Sequence, residues 1–177
     1  ILINTILIAS AFYLFFITLR DFFIKKYKNL AQNITHFGFS LLILSILFNN
    51  LLSTEIITNL KVGEVYDDSK TKIVFESINQ KNQKNYKAII ANFSILNSNG
   101  TNDNLSPELR IYNQPKITTS EADIQTTLMK DKFIVINLVQ NQDYFNVRYQ
   151  VKPFMLWIWF SVILISFGGV MSFLKKR

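Results

Sequence analysis

Residues 34–52, ITHFGFSLLILSILFNNLL, decide the architecture. They hold no Asp, Glu, Lys or Arg. A bilayer's hydrocarbon takes about 20 apolar residues to cross as a helix. Two further stretches meet the same test: Ile1–Leu19 and Phe154–Leu174, again without a formal charge. The sequence therefore predicts three membrane helices, at 1–19, 30–52 and 153–174. It starts inside an apolar run, on Ile1 rather than Met. That start reads as an excerpt of a longer protein. A signal peptide fits less well, because no basic residue precedes the run and no small-residue cleavage site follows it.

Charge placement sets the expected topology. The chain has a formal net charge of +7. Residues 20–29, RDFFIKKYKN, carry four basic groups against Asp21, and the tail 175–177 is Lys-Lys-Arg. Residues 53–152 are nearly neutral, with 12 Lys and Arg against 11 Asp and Glu. Short basic loops stay on the cytoplasmic side of a membrane. The loop 20–29 and the tail 175–177 are thus expected inside. The first helix runs out to in, and the segment 53–152 lies outside. Nucleic acid is not expected as a partner, since the positive excess hugs the helix ends and forms no stripe on the soluble part.

The outer segment reads as β-rich. Lys72–Ile78, Tyr86–Leu96, Lys132–Val139 and Tyr144–Val151 are rich in β-branched and aromatic residues, with Asn, Asp, Ser and Gly clusters between them. They predict a small antiparallel sheet or open barrel on the membrane surface. Asn141-Gln142-Asp143 reads as a hairpin link, and Ser98–Asp103 as another loop. Thr119-Ser120-Glu121-Ala122-Asp123 looks like the opening of a short helix, with a hydroxyl cap and acids in its first turn. Glu64, Asp67 and Asp68 read as a solvated turn. Arg110 and Arg148 are expected to pair with carboxylates such as Glu108 and Glu121, or with those of a ligand. No catalytic constellation is visible. With no cysteine in the chain, disulfides and thiolate metal sites are excluded. Any thiol chemistry must use a partner's sulfur.

His36 is the only histidine. It falls near the inner end of the second helix, with Gln32, Phe39, Ser40 and Ile43 on its face at helical spacing. Gly38 beside it lets a flat group or another helix come close. Intramembrane ionisable residues face bundle interiors and mark sites. Three readings stand: a neutral imidazole bonded to a neighbouring helix, an axial haem or metal ligand, or a proton relay. One histidine cannot give a bis-histidine haem site alone. In the third helix, Trp157 and Trp159 fit an interfacial aromatic belt, and Gly168-Gly169 permits close packing.

Four pieces in order point to one family: THFGFSLLILSI, KNYKA, PELRIYNQPKITTSEADI and VRYQVKPFMLWIWFSVILISFGGVMS. They resemble the C-terminal part of the CcmF family, the membrane haem lyases of multi-component cytochrome c maturation. Pro107-Glu108, Arg110, Tyr112, Thr119, Glu121-Ala122 and Ile124 follow one family pattern. Arg148, Lys152-Pro153 and Trp157-Ile158-Trp159 follow the next, with Gly168-Gly169 after them. Ser120 stands where the family often has Thr. The resemblance implies a fold of membrane helices around a β-rich extracytoplasmic domain. It implies attachment of haem, brought by a haem chaperone, to the Cys-x-x-Cys-His thiols of apocytochrome c. It also implies a b-type haem between two transmembrane histidines, with His36 matching the second and the first lying outside these residues. The partners implied are the remainder of the same lyase, the haem chaperone, apocytochrome c with its thiol-handling partner, and membrane lipid. The expected location is the bacterial inner membrane with the β domain in the periplasm, or else the mitochondrial inner membrane. The family's Trp-rich haem-binding segment is not in this stretch, so the chain by itself is not expected to catalyse. A different class of function also fits the residues: a membrane-anchored β domain that scaffolds envelope proteins.

Overall fold

The computed structural model describes residues 2–24, 30–97, 100–139 and 142–175. They form two compact units. One comprises residues Ile1–Ser53, Thr126–Asp131 and Lys152–Arg177, and the other comprises Thr54–Gln125 and Lys132–Val151.

The first unit holds three α-helices: α1 (Leu2–Ile24), α2 (Leu30–Leu52) and α3 (Met155–Lys175). All three are long and apolar enough to cross a membrane. α1 runs past the apolar stretch and takes in Arg20 and Asp21, which pair at 3.2 Å. Both are tolerable in a helix end that reaches polar surroundings. Three hydroxyls in the helices donate to carbonyls about one turn back, as suits an apolar medium. Thr18 donates to the Leu14 carbonyl at 2.9 Å, Thr35 to Ala31 at 3.0 Å, and Ser40 to Phe37 at 2.8 Å. Thr18 and Ser40 also meet across α1 and α2, 2.6 Å apart. Phe37 packs between Phe15 and Phe22 of α1. Before α3, Phe154 adopts a left-handed φ of 60°. Its ring lies 5.2 Å from that of Phe48, a contact that offsets a backbone conformation costing roughly 1–2 kcal/mol.

The second unit is a pair of antiparallel sheets, with ten strands among the described residues. They are β1 (Thr54–Leu60), β2 (Val65–Asp67), β3 (Thr71–Asn82), β4 (Tyr86–Asn97), β5 (Asn102–Leu105), β6 (Glu108–Tyr112), β7 (Thr118–Glu121), β8 (Asp123–Thr126), β9 (Lys130–Leu138) and β10 (Phe145–Pro153). One sheet has the order β1-β10-β9-β8 and the other β2-β3-β4-β6-β7, with β5 also on β4. Period-two alternation supplies the core. Ile73 and Phe75 of β3 face Phe93 and Ile95 of β4, and Ile134, Ile136, Val147 and Tyr149 come from the other sheet. The Phe75 and Phe93 rings stack 4.4 Å apart.

Three sequence expectations change here. The single sheet or open barrel is two sheets, because the inward residues of β3 and β4 need a second apolar face to cover them. The short helix at 119–123 is instead two strands, β7 and β8, with Ala122 between them. Its hydroxyl-and-acid pattern resembles a helix cap, but no apolar stripe follows to bury a helix. Pairing wins: Leu109 lies opposite Ser120 in register, and Ser120 donates to Asn137 at 2.6 Å. The loop at 98–103 is shorter than expected, since Asn102 and Asp103 belong to β5. Its Ser98 and Asn99, and Asn141 of the hairpin link, lie outside the described residues.

Candidate functional site

The site begins with how α2 divides its surface. Successive residues turn about 100° around a helix. Gly38 faces α3: a Cβ there would lie 3.0 Å from Leu164 Cβ and 3.1 Å from Ile165 N. Thr35 also faces α3, at Gly168. Phe37, Ser40 and Phe48 face α1. Both neighbours therefore cover one half of α2. The other half presents Gln32, His36, Phe39, Ile46 and Asn50, all exposed. His36 sits at the middle of this polar–aromatic stripe's first two turns. No hydrogen bond or ion pair reaches it from the described residues.

The structure separates the residues that spacing had grouped with His36. Gln32 and Phe39 share its exposed face, and Ile43, two turns on, is half-buried. Ser40 does not, because its hydroxyl is committed to Thr18. Gly38 serves contact with α3 rather than access to the imidazole. The reading of His36 as a histidine bonded to a neighbouring helix finds no partner among the described residues. Its orientation is suited to a ligand arriving from outside the three helices.

The remaining candidates are structural. Arg110 donates to Glu108 at 3.0 Å and approaches Glu121 at 3.9 Å. Its guanidinium lies 5.2 Å from the centre of the Tyr86 ring. Arg148 pairs with Glu55. The Asp68 carboxylate accepts the Lys70 and Thr71 amides at 2.7 Å each, and these bonds hold its pKa below the ordinary value. Glu64 accepts the Lys61 amide at 2.9 Å. Trp157 donates its indole N–H to the Leu128 carbonyl at 2.8 Å. No group of three or more His, Cys, Asp or Glu among the described residues could hold a metal ion.

One cluster escaped the sequence reading. Lys132 pairs with Asp103 inside the sandwich, both nearly fully buried, and Asn97 donates to the same carboxylate at 2.8 Å. The signal was present: Lys132, Ile134 and Ile136 alternate onto one face, which places a lysine inward. Lys132→Met would strand a buried carboxylate and cost about 3–5 kcal/mol. Urea unfolding of the variant checks this, and the double variant with Asp103→Leu should regain most of the loss. Burial also lifts the Tyr149 phenol from 10.0 to about 12, with Asp103 adding to the effect. A pKa raised in the fold contributes stability below the unfolded value and loses it above. Thermal melts should therefore hold steady to pH 10 and fall between pH 10 and 12. Tyr149→Phe should flatten that fall.

Comparison with known proteins follows the same outline. Residues 51–153 match the family described as the CcmF C-terminal beta-sandwich. The cytochrome c-type biogenesis protein ccl1 of Rhodobacter capsulatus is 32% identical over 117 residues, covering 66% of this chain and 18% of that protein. The cytochrome c-type biogenesis protein CcmF of Pseudomonas fluorescens is 26% identical over 147 residues, covering 83% of this chain and 22% of the relative. A solved structure of the cytochrome c heme lyase CcmF superposes with a TM-score of 0.61 at 17% identity, over 80% of this chain and 24% of that one. The chain thus spans about a fifth of the length of these curated relatives. The family match covers more than half of the residues and takes in both sheets from end to end, and on it the chain belongs to the CcmF C-terminal beta-sandwich family.

Proposed function

We propose that this chain is the C-terminal part of a haem lyase for cytochrome c maturation, and that His36 supplies one axial ligand to a transmembrane b-type haem. The observation that carries this reading is the exposed half of α2. His36 stands there without a partner among the described residues, on the side away from α1 and α3. The donor set fits the group. A neutral imidazole is a haem-iron ligand, and a second histidine would come from a helix outside these 177 residues. When bound, the haem supplies one-electron chemistry. The chain's own part is to hold the imidazole outward from a helix fixed on its other half by two neighbours. Phe39, one turn on, offers an apolar ring beside that position, and Gln32 a polar side chain one turn before it.

The positive-inside pattern supports the orientation proposed with it. The basic link 20–29 and the tail lie in the cytoplasm, and the sandwich lies in the periplasm of a bacterial inner membrane. The partners that follow are a haem chaperone, apocytochrome c with its Cys-x-x-Cys-His thiols, and a thiol-handling protein. The lack of any cysteine here agrees with thiols that belong to the substrate. The sandwich has its own core, which also suits the second reading, a scaffold for envelope proteins. Maturation of a c-type cytochrome in cells separates the two. His36→Ala is expected to abolish maturation while the variant protein accumulates. Normal maturation with that variant would favour the scaffold.

A further inference from the structure

The turn between β8 and β9 is unusual for its chemistry. Residues 126–131, TTLMKD, put Leu128 and Met129 at its tip. Both are largely exposed, at 68% and 60%. Turn tips are ordinarily built from Gly, Asn, Asp and Ser. This one is closed by its flanks: Thr127 N–H donates to the Lys130 carbonyl at 3.0 Å, and the Thr127 hydroxyl to the same oxygen at 2.7 Å. Leu128 and Met129 are not needed for closure.

The turn belongs to the same compact unit as the helices. Two hydrogen bonds fix it to the start of α3. Phe154 N–H donates to the Met129 carbonyl at 2.8 Å, and the Trp157 indole to the Leu128 carbonyl at 2.8 Å. Leu128 is thereby held level with the first turn of α3. There it lines an open groove of about 340 Å³ with Leu156, Trp157, Trp159, Phe160 and Ile163. No charged side chain lines the groove. Trp159, Phe160 and Ile163 continue it along the surface of a helix of membrane length.

We infer that the β8–β9 turn is a membrane-interface anchor: Leu128 and Met129 enter the leaflet around the start of α3, and the groove takes lipid acyl chain. Three features select lipid as the occupant. The groove is continuous with an apolar helix surface long enough to span a bilayer. Its tryptophans are the side chains that favour the headgroup boundary. Lys130, next in sequence, adds a basic residue beside the turn, of the kind that flanks interfacial segments. The turn would then fix the depth of α3 in the bilayer. The inference is independent of haem binding but rests on α3 being a membrane span.

The chain's lack of cysteine makes the test direct. Leu128→Cys and Val170→Cys, the latter exposed on α3, are each labelled with a nitroxide. The 177-residue chain is placed in vesicles of phosphatidylethanolamine and phosphatidylglycerol. Power saturation compares access to oxygen, which partitions into lipid, with access to a neutral nickel chelate, which stays in water. Both labels are expected to favour oxygen, with position 170 deeper than 128. A label at 128 open to nickel, with 170 favouring oxygen, overturns the anchor and leaves the span standing. A label at 128 shut off from both reagents shows protein covering the groove and overturns lipid as its occupant. A label at 170 open to nickel removes the span, and the anchor with it.

Discussion

His36→Ala is expected to strip the b-type absorption spectrum from the assembled protein without unfolding it. The first half of this expectation follows from the proposed site. A bis-histidine haem that loses one axial ligand loses a metal–ligand bond, and occupancy should fall by more than about tenfold, a step of ~1.4 kcal/mol or more. The second half follows from the structure. His36 is exposed and receives no hydrogen bond from the described residues, and alanine is the best helix former. The two halves are read separately. Haem per polypeptide and the visible spectrum report the site, and circular dichroism with elution from a sizing column reports the fold. A variant that keeps both its haem content and its spectrum would remove His36 from the site. Gln32→Ala, on the same face, should shift the spectrum far less, since it contributes no iron ligand.

Gly168→Val should separate α2 from α3, and Gly169→Ala should not. A Cβ at Gly168 would stand 2.2 Å from Thr35 Oγ1, 2.8 Å from the Ala31 carbonyl oxygen and 3.0 Å from Thr35 N. The side-chain hydroxyl could rotate away, but two of these atoms are backbone. Accommodation therefore requires the helices to move apart. Overpacking of this kind costs about 1–3 kcal/mol, and a valine adds two more carbons to the clash. At Gly169 nothing lies within 4 Å. There the helix gains the roughly 1 kcal/mol that separates alanine from glycine. Thermal unfolding in detergent should show a clear loss for Gly168→Val and no loss for Gly169→Ala. Equal midpoints would contradict the packing described. Thr35 adjoins His36, so the same Gly168 variant should also weaken any haem site built on α2.

These results show which parts of the molecule are legible in the residues. Charge-free apolar runs and stretches rich in β-branched and aromatic residues are local properties. They exposed three membrane-length helices and four of the longer strands, and placed the single histidine near the start of the second helix. The ordered motifs from Thr35 to Ser172 added the family. Where the sequence misled, short local patterns had two readings. Thr119–Asp123 carries the chemistry of a helix cap, yet strand pairing with β6 decided its state. Gly168 and Gly169 look alike in a row of letters, but only Gly168 meets another helix.

By itself, then, the sequence determined the three membrane-length helices, the β character of the segment between the second and third, that segment's near-neutral charge between basic flanks, and the single histidine. The tertiary structure decided which half of α2 is covered, and so that His36 faces away from α1 and α3. It also split the β segment into two sheets, buried Lys132 against Asp103, and joined the 126–131 turn to the start of α3. The physical reason is the range of the interactions. A repeat along the chain needs only neighbours a few residues away. Each of the other features depends on groups brought together from distant positions, such as Thr18 with Ser40, Asp103 with Lys132, and Leu128 with Trp157.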